Sequence, residues 1–272
     1  MQTKLTNIEN LSIRYSSSLK EHKESLLMLQ PLPESLYCYS PIWDQLATNF
    51  NLLAIDMPGF GGSEARNDLF SADSMSNFIA KVIAHFELET VHVLGPDIGT
   101  PIGLFLASRY SNKLKSVIVS GGAAVYPLEV DNVLRDIIFA PDLEDFKKIP
   151  VKDIIDGSLS ELKNYILPEE IRSDYINSYE GGRLFEAMQI LRAYKTDIPE
   201  LDKLIDTIQV PVQIIWGDKD PIALVKTAYI LHDRLPKNKM NIINGGGHYL
   251  WEENAAEYSA ILIDWLNGGY KM

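Results

Sequence analysis

Apolar and polar positions along this chain switch repeatedly between a two-residue and a helical period. Residues 10–15 alternate, which is the mark of a half-buried strand. Residues 25–30 and 50–56 are continuous apolar runs and predict strands covered on both faces. Between the first two, residues 16–24 read as a polar turn. Residues 30–35, Gln-Pro-Leu-Pro-Glu-Ser, carry too much proline to continue as strand or helix. Residues 41–47 predict a short helix with Trp43 and Leu46 inward, and residues 56–63 a glycine-rich turn. The spacing of Met75, Phe78, Ile79, Val82 and Ile83 predicts a helix over 71–86. Val91, Val93 and Leu94 read as a short buried strand, Gly95 to Gly99 as a turn, and 101–109 as a helix with Pro101 near its start. Residues 114–120 predict a further strand.

Strands alternating with helices predict a mostly parallel, doubly wound sheet. The alternation breaks near Gly121. Residues 124–208 are helical in pattern, richer in charge and tyrosine, and punctuated by Pro127, Pro141, Pro150, Pro168 and Gly181-Gly182. They read as a helical cap inserted over the carboxyl edge of the sheet, between core segments 1–123 and 209–272. Alternation then resumes, with strands over 210–216 and 239–243, a helix over 223–235 and a closing amphipathic helix over 254–266.

The 272 residues suffice for one large α/β domain with an insertion. A net charge of −12 argues against nucleic acid or an anionic membrane as partner. The single cysteine, Cys38, permits no intrachain disulfide and makes a cysteine metal cluster an unpromising reading, so no metal is expected. The first ten residues lack an apolar signal core and no run approaches a membrane span, so a cytoplasmic location is expected. The acidic, tyrosine-bearing cap is a candidate homodimer face.

Three groups of chemically capable residues fall at predicted strand ends. Gly95-Pro96-Asp97-Ile98-Gly99 joins a strand to a helix, and there Asp97 would sit on a tight, strained turn. Glycine at 95 and 99 fits a turn too close for a Cβ. Trp216-Gly-Asp-Lys-Asp-Pro221 follows the penultimate strand, with Asp220 the favoured carboxylate and Asp218 the second choice in the same turn. Gly245-Gly-Gly-His248 follows the last strand, and its glycines suggest unusual backbone torsions before His248. Nucleophile, acid and histidine thus occur in hydrolase order.

These motifs, with Asp56-Met-Pro-Gly-Phe-Gly-Gly-Ser63, resemble the α/β-hydrolase superfamily over about residues 11–266. An aspartate as nucleophile is similar to the branch of epoxide hydrolases and haloalkane or haloacetate dehalogenases. Residues 30–35 are similar to the His-Gly-x-Pro-Glu-Ser loop of epoxide hydrolases, with Gln30 and Pro31 in place of His-Gly. Tyr194-Lys195 resembles the Tyr-Arg that supplies an epoxide-activating phenol. The resemblance implies an α/β-hydrolase fold with an inserted helical cap and a cofactor-free reaction on a small-molecule substrate.

A carboxylate suits attack on saturated carbon bearing a leaving group, giving an ester that water then cleaves. Asp97 would attack, and His248 held by Asp220 would activate the water. Backbone N–H groups of Leu32 and Ile98 are the expected oxyanion donors. Tyr194 is the resemblance-based donor to an epoxide oxygen, with Tyr126, Tyr165, Tyr175 and Tyr179 in reserve, and Gln30 could add an amide. Ile98 stands where a halide-binding Trp is usual, which counts against a haloalkane. Haloacetate would want Arg183 or Arg192. An epoxide is therefore the leading substrate expectation. Dehalogenation, ester or carbon–carbon hydrolysis with Asp97 as base, and a silent ligand-binding protein on this scaffold are the alternatives.

Overall fold

The continuous apolar runs become the middle of one sheet because such strands must be covered on both faces. The computed structural model describes residues 1–18 and 23–271. Its strands are β1 (Thr3–Ile8), β2 (Leu11–Ser17), β3 (Ser25–Leu29), β4 (Asn51–Ile55), β5 (Val91–Pro96), β6 (Leu114–Ser120), β7 (Val212–Gly217) and β8 (Asn238–Ile243). They form an eight-stranded sheet in the order β1-β2-β4-β3-β5-β6-β7-β8. Pairings from β4 to β8 are parallel, whereas β1–β2 and β2–β4 are antiparallel.

Helices of the core are α1 (Ser40–Ala47), α2 (Ala72–His85) and α3 (Gly99–Arg109). The run between β6 and β7 holds α4 (Asn132–Phe139), α5 (Val151–Leu159), α6 (Glu169–Tyr179), α7 (Arg183–Ala187) and α8 (Gln189–Asp202). The core is completed by α9 (Lys226–Arg234), α10 (Leu250–Glu253) and α11 (Ala255–Asp264). Trp43 and Leu46 are buried as their spacing predicts. Ser71 caps α2 by accepting the Ser74 N–H, which sets its start.

Differences from the sequence reading concern polar or short segments. β1 carries exposed polar residues on an edge, so it lacks the apolar signature that marks the central strands. β2 continues through Ser17, into the expected polar turn, and residues 19–22 of that turn lie outside the described residues. The closing helix forms as α11, with a short helix α10 before it that the spacing does not predict and a kinked turn at Trp265–Gly269 after it.

The strand order positions the chemistry. After β3 the chain moves one way to β4, then returns past β3 to lay down β5 on its other side. That reversal opens a crevice at the carboxyl ends of β3 and β5, the place where open α/β sheets bind ligands. The loop at 30–35 and Asp97 flank it. The ends of β6, β7 and β8 run alongside in register, Pro96 opposite Ser120 and Gly217 opposite Ile243.

Candidate active site

The turn after β5 is as tight as its glycines suggest, but the demand falls on one of them. A Cβ at Gly95 would lie 2.3 Å from the Gly99 carbonyl oxygen, whereas one at Gly99 would meet nothing nearer than Leu29 at 3.5 Å. Asp97 has φ 49°, in the left-handed region that costs an L-residue roughly 1–2 kcal/mol. Crossing bonds hold it there. Asp97 N–H donates to Ser120 O at 2.8 Å, Thr100 N–H to Asp97 O at 2.9 Å, and the Thr100 hydroxyl to Gly95 O at 2.9 Å.

This geometry places the Asp97 carboxylate at the carboxyl ends of β3 and β5, where 14% of the side chain stays accessible. Leu32 N–H donates to Oδ2 at 2.8 Å, so Pro31 does not prevent the loop from offering that donor. Burial raises the Asp97 pKa above its ordinary value, opposed by the His248 charge and by the N–H groups of Leu32 and Ile98. Gln30 Nε2 is buried and has no hydrogen-bond partner among the described residues. The residue is wholly buried, and its carbonyl oxygen accepts Met57 N–H at 2.7 Å in the turn after β4.

His248 approaches from the end of β8. Its Nδ1 donates to Asp220 at 3.0 and 3.1 Å, which leaves Nε2 facing Asp97 Oδ1 at 4.0 Å. That separation is too long for a hydrogen bond and leaves the imidazole free to serve a third group. Asp220 Oδ1 also accepts the N–H groups of Ile222 and Ala223, which fix its rotamer. Burial would depress the His248 pKa, but the Asp220 charge and hydrogen bond, helped by Asp97 and Asp131, hold it above its ordinary value. Asp218 points away and accepts Gly245 N–H at 2.6 Å. Of the three glycines before His248, only Gly245 has a left-handed φ, at 74°. Gly246 and Gly247 instead bring their carbonyls against Gly217.

The tyrosines separate cleanly. Tyr194, on α8, is buried, and its phenol pKa is driven well up by burial and then by the Asp97 and Asp197 charges. Among the described residues its hydroxyl has no hydrogen-bond partner. Tyr175 donates to Glu252 at 3.2 Å, Tyr179 donates to Glu34 O at 2.8 Å, and Tyr126 is exposed. Tyr165 is held up by burial and by the Glu252 and Glu170 charges, with no influence from Asp97. The two arginines considered for haloacetate are occupied, Arg183 by carbonyls of Gly61, Ser63 and Ser178 and Arg192 by those of Ala140 and Pro141.

Sequence reasoning missed one cluster. Glu34 and Glu252 are both buried beside the site, with Trp251 Nε1 donating to Glu34 at 3.2 Å. Glu34 stands in the quoted Pro-Glu-Ser motif and Glu252 four residues past His248, yet nothing in their spacing shows that they meet. Among the described residues no group of three or more His, Cys, Asp or Glu is arranged to hold a metal. No helix there is long and apolar enough to cross a membrane.

Comparison with known proteins agrees with this architecture. A family model described as alpha/beta hydrolase fold matches residues 24–145. A 2-hydroxy-6-oxononadienedioate/2-hydroxy-6-oxononatrienedioate hydrolase of Cupriavidus pinatubonensis is 22% identical over 81% of this chain and 78% of its own length. The crystal structure of a membrane phospholipase A superposes with TM-score 0.84 at 18% identity, covering all of this chain and 87% of the other. The epoxide hydrolase CorEH superposes with TM-score 0.83 at 17% identity, covering 98% of each. This chain has the α/β-hydrolase fold.

Proposed function

We propose that this protein is a cofactor-free hydrolase that opens an epoxide through an ester on Asp97. The observation that carries the reading is the state of the Asp97 carboxylate. Its Oδ2 is held by Leu32 N–H, while Oδ1 faces a histidine backed by Asp220 across 4.0 Å. A hydroxyl or thiol nucleophile is absent from the turn between β5 and α3, the elbow that carries Asp97, so attack on an ester carbonyl would give an anhydride and little advantage. Attack on saturated carbon uses the carboxylate as it stands.

In the first step Asp97 Oδ1 bonds to an epoxide carbon and the carbon–oxygen bond of the ring breaks. The ring oxygen takes the Tyr194 proton, leaving a tyrosinate. In the second, water gives a proton to His248 Nε2 and attacks Asp97 Cγ. The negative charge forms on Oδ2, where Leu32 and Ile98 N–H groups stabilise it, each worth about 3 kcal/mol in comparable sites. Collapse expels the diol alkoxide, which takes up a proton from His248. The carboxylic acid left on Asp97 gives its remaining proton to water, and that proton restores Tyr194, so the cycle closes on epoxide plus water giving diol. Ile98 offers a halide no side-chain N–H, and Arg183 and Arg192 are otherwise engaged, so dehalogenation is less well supported. The epoxide hydrolase structural neighbour is in keeping with this choice.

His248→Gln tests it. Incubated with terminal and internal epoxides, the variant should gain the mass of one epoxide on Asp97 and turn over negligibly. Unmodified protein in both the wild type and the variant, or an adduct on any other residue, would overturn the assignment.

A further inference from the structure

A carboxylate on the apolar face of α8 stands out among the residues the reaction does not use. The inward stripe of that helix is Ile190, Leu191, Tyr194, Asp197, Ile198 and Leu201. Asp197 is only 8% exposed, and burying a charge costs several kcal/mol unless a specific partner offsets it. Its partner is the Ala72 N–H at the start of α2, at 2.6 Å. The start of α2 already has its own cap in Ser71, so Asp197 is not needed to begin that helix. What the bond does is fix α8.

Apolar packing along Ile190, Leu191, Ile198 and Leu201 resists separation but sets rotation and register weakly, because dispersion is not directional. A short charge-assisted hydrogen bond to one backbone N–H sets both. Residues three apart lie on one helix face about 4.5 Å along the axis, so what fixes Asp197 fixes Tyr194. We propose that Asp197 is a positioning residue that docks α8 on the first turn of α2 and so aims the Tyr194 hydroxyl at the Asp97 crevice. The cation that acts on Asp197 is Arg109, itself paired with Asp73 in the first turn of α2, so the dock is built from core elements that also carry the elbow helix. This inference rests on the proposed epoxide chemistry for its catalytic consequence, but not for its geometry.

Two readouts separate those parts. The first is the rate of adduct formation from styrene oxide in the His248→Gln protein, alone and with Asp197→Ala, Asp197→Asn, Tyr194→Phe and the Asp197→Ala/Tyr194→Phe pair. A displacement of about 1 Å at a reacting group costs on the order of a hundredfold, so Asp197→Ala should slow the adduct by about tenfold to a hundredfold. In the Tyr194→Phe background it should add less than about twofold. Asp197→Asn keeps an oxygen for Ala72 N–H and should restore most of the rate. The second readout is the ζ-carbon resonance of Tyr194 in protein labelled at tyrosine, assigned by its loss in Tyr194→Phe. It should move in Asp197→Ala and return towards its place in Asp197→Asn. An equal rate loss with and without Tyr194, or an unmoved resonance in Asp197→Ala, would overturn the positioning role. Should no adduct form in any variant, the epoxide reading fails, and the resonance alone judges the dock.

Discussion

Glu252→Gln should flatten the dependence of stability on pH. Glu34 and Glu252 are both buried, and each keeps only one oxygen on a fixed neutral donor. Trp251 Nε1 serves Glu34 and the Tyr175 hydroxyl serves Glu252, each at 3.2 Å. The other oxygens have no other side-chain or backbone donor, and the pair is satisfied when a protonated Glu34 donates to an ionised Glu252. Burial and mutual charge hold the Glu34 pKa well up, and burial pushes Glu252 to about 7. A carboxyl whose affinity for protons is raised on folding stabilises the fold below its unfolded pKa of 4.5 and ceases to do so as pH climbs past about 7. At about 1.36 kcal/mol for each tenfold change in proton affinity, that interval amounts to about 3 kcal/mol. The amide introduced by Glu252→Gln would keep its oxygen on Tyr175 and give its N–H to Glu34, so that Glu34 could ionise without leaving a bare charge. Urea unfolding at intervals between pH 4.5 and 8 measures the outcome. The variant should gain on the wild type by about 3 kcal/mol across that range, whatever constant offset the substitution adds. Parallel curves would refute the shared proton.

Asp220→Asn removes the charge that holds the His248 pKa up. In single-turnover decay of the Asp97 ester, the rate should rise with pH as His248 loses its proton, and the variant's acid limb should move to lower pH. Its plateau should fall by about 10²–10⁴-fold, because the imidazole loses its fixed tautomer. An acid limb that stays in place would detach Asp220 from His248. Gly95→Ala and Gly99→Ala separate the demands of the elbow. The first forces a Cβ within 2.3 Å of a backbone oxygen and should unfold the protein or cost several kcal/mol, whereas the second should stay within about 1 kcal/mol of wild type by thermal unfolding.

What the sequence carried, and where it fell short, follows one physical line. Periodicity reports burial, so β3, β4 and β5, covered on both faces, and α2, with one apolar face, were legible. β1 was not, because an exposed edge strand has no apolar pattern to read. At the site, Asp97, Asp220 and His248 were legible because each stands at a strand end in a turn of recognisable composition, and the parallel register then brings those ends together. Long-range meetings of side chains have no such local mark. Glu34 and Glu252 are separated by most of the chain and Asp197 and Ala72 by 125 residues, yet both contacts join the helices between β6 and β7 or the histidine loop to the core. Only Asp197 leaves a trace, a carboxylate in the apolar stripe of its helix. A buried carboxylate persists only where something offsets its desolvation, whether a shared proton, as at Glu34, or a backbone N–H, as at Asp197. The elbow sets where the proposed reaction would occur. These two buried contacts tie helices between β6 and β7 to the core, and they are where substitutions outside the triad should be felt first.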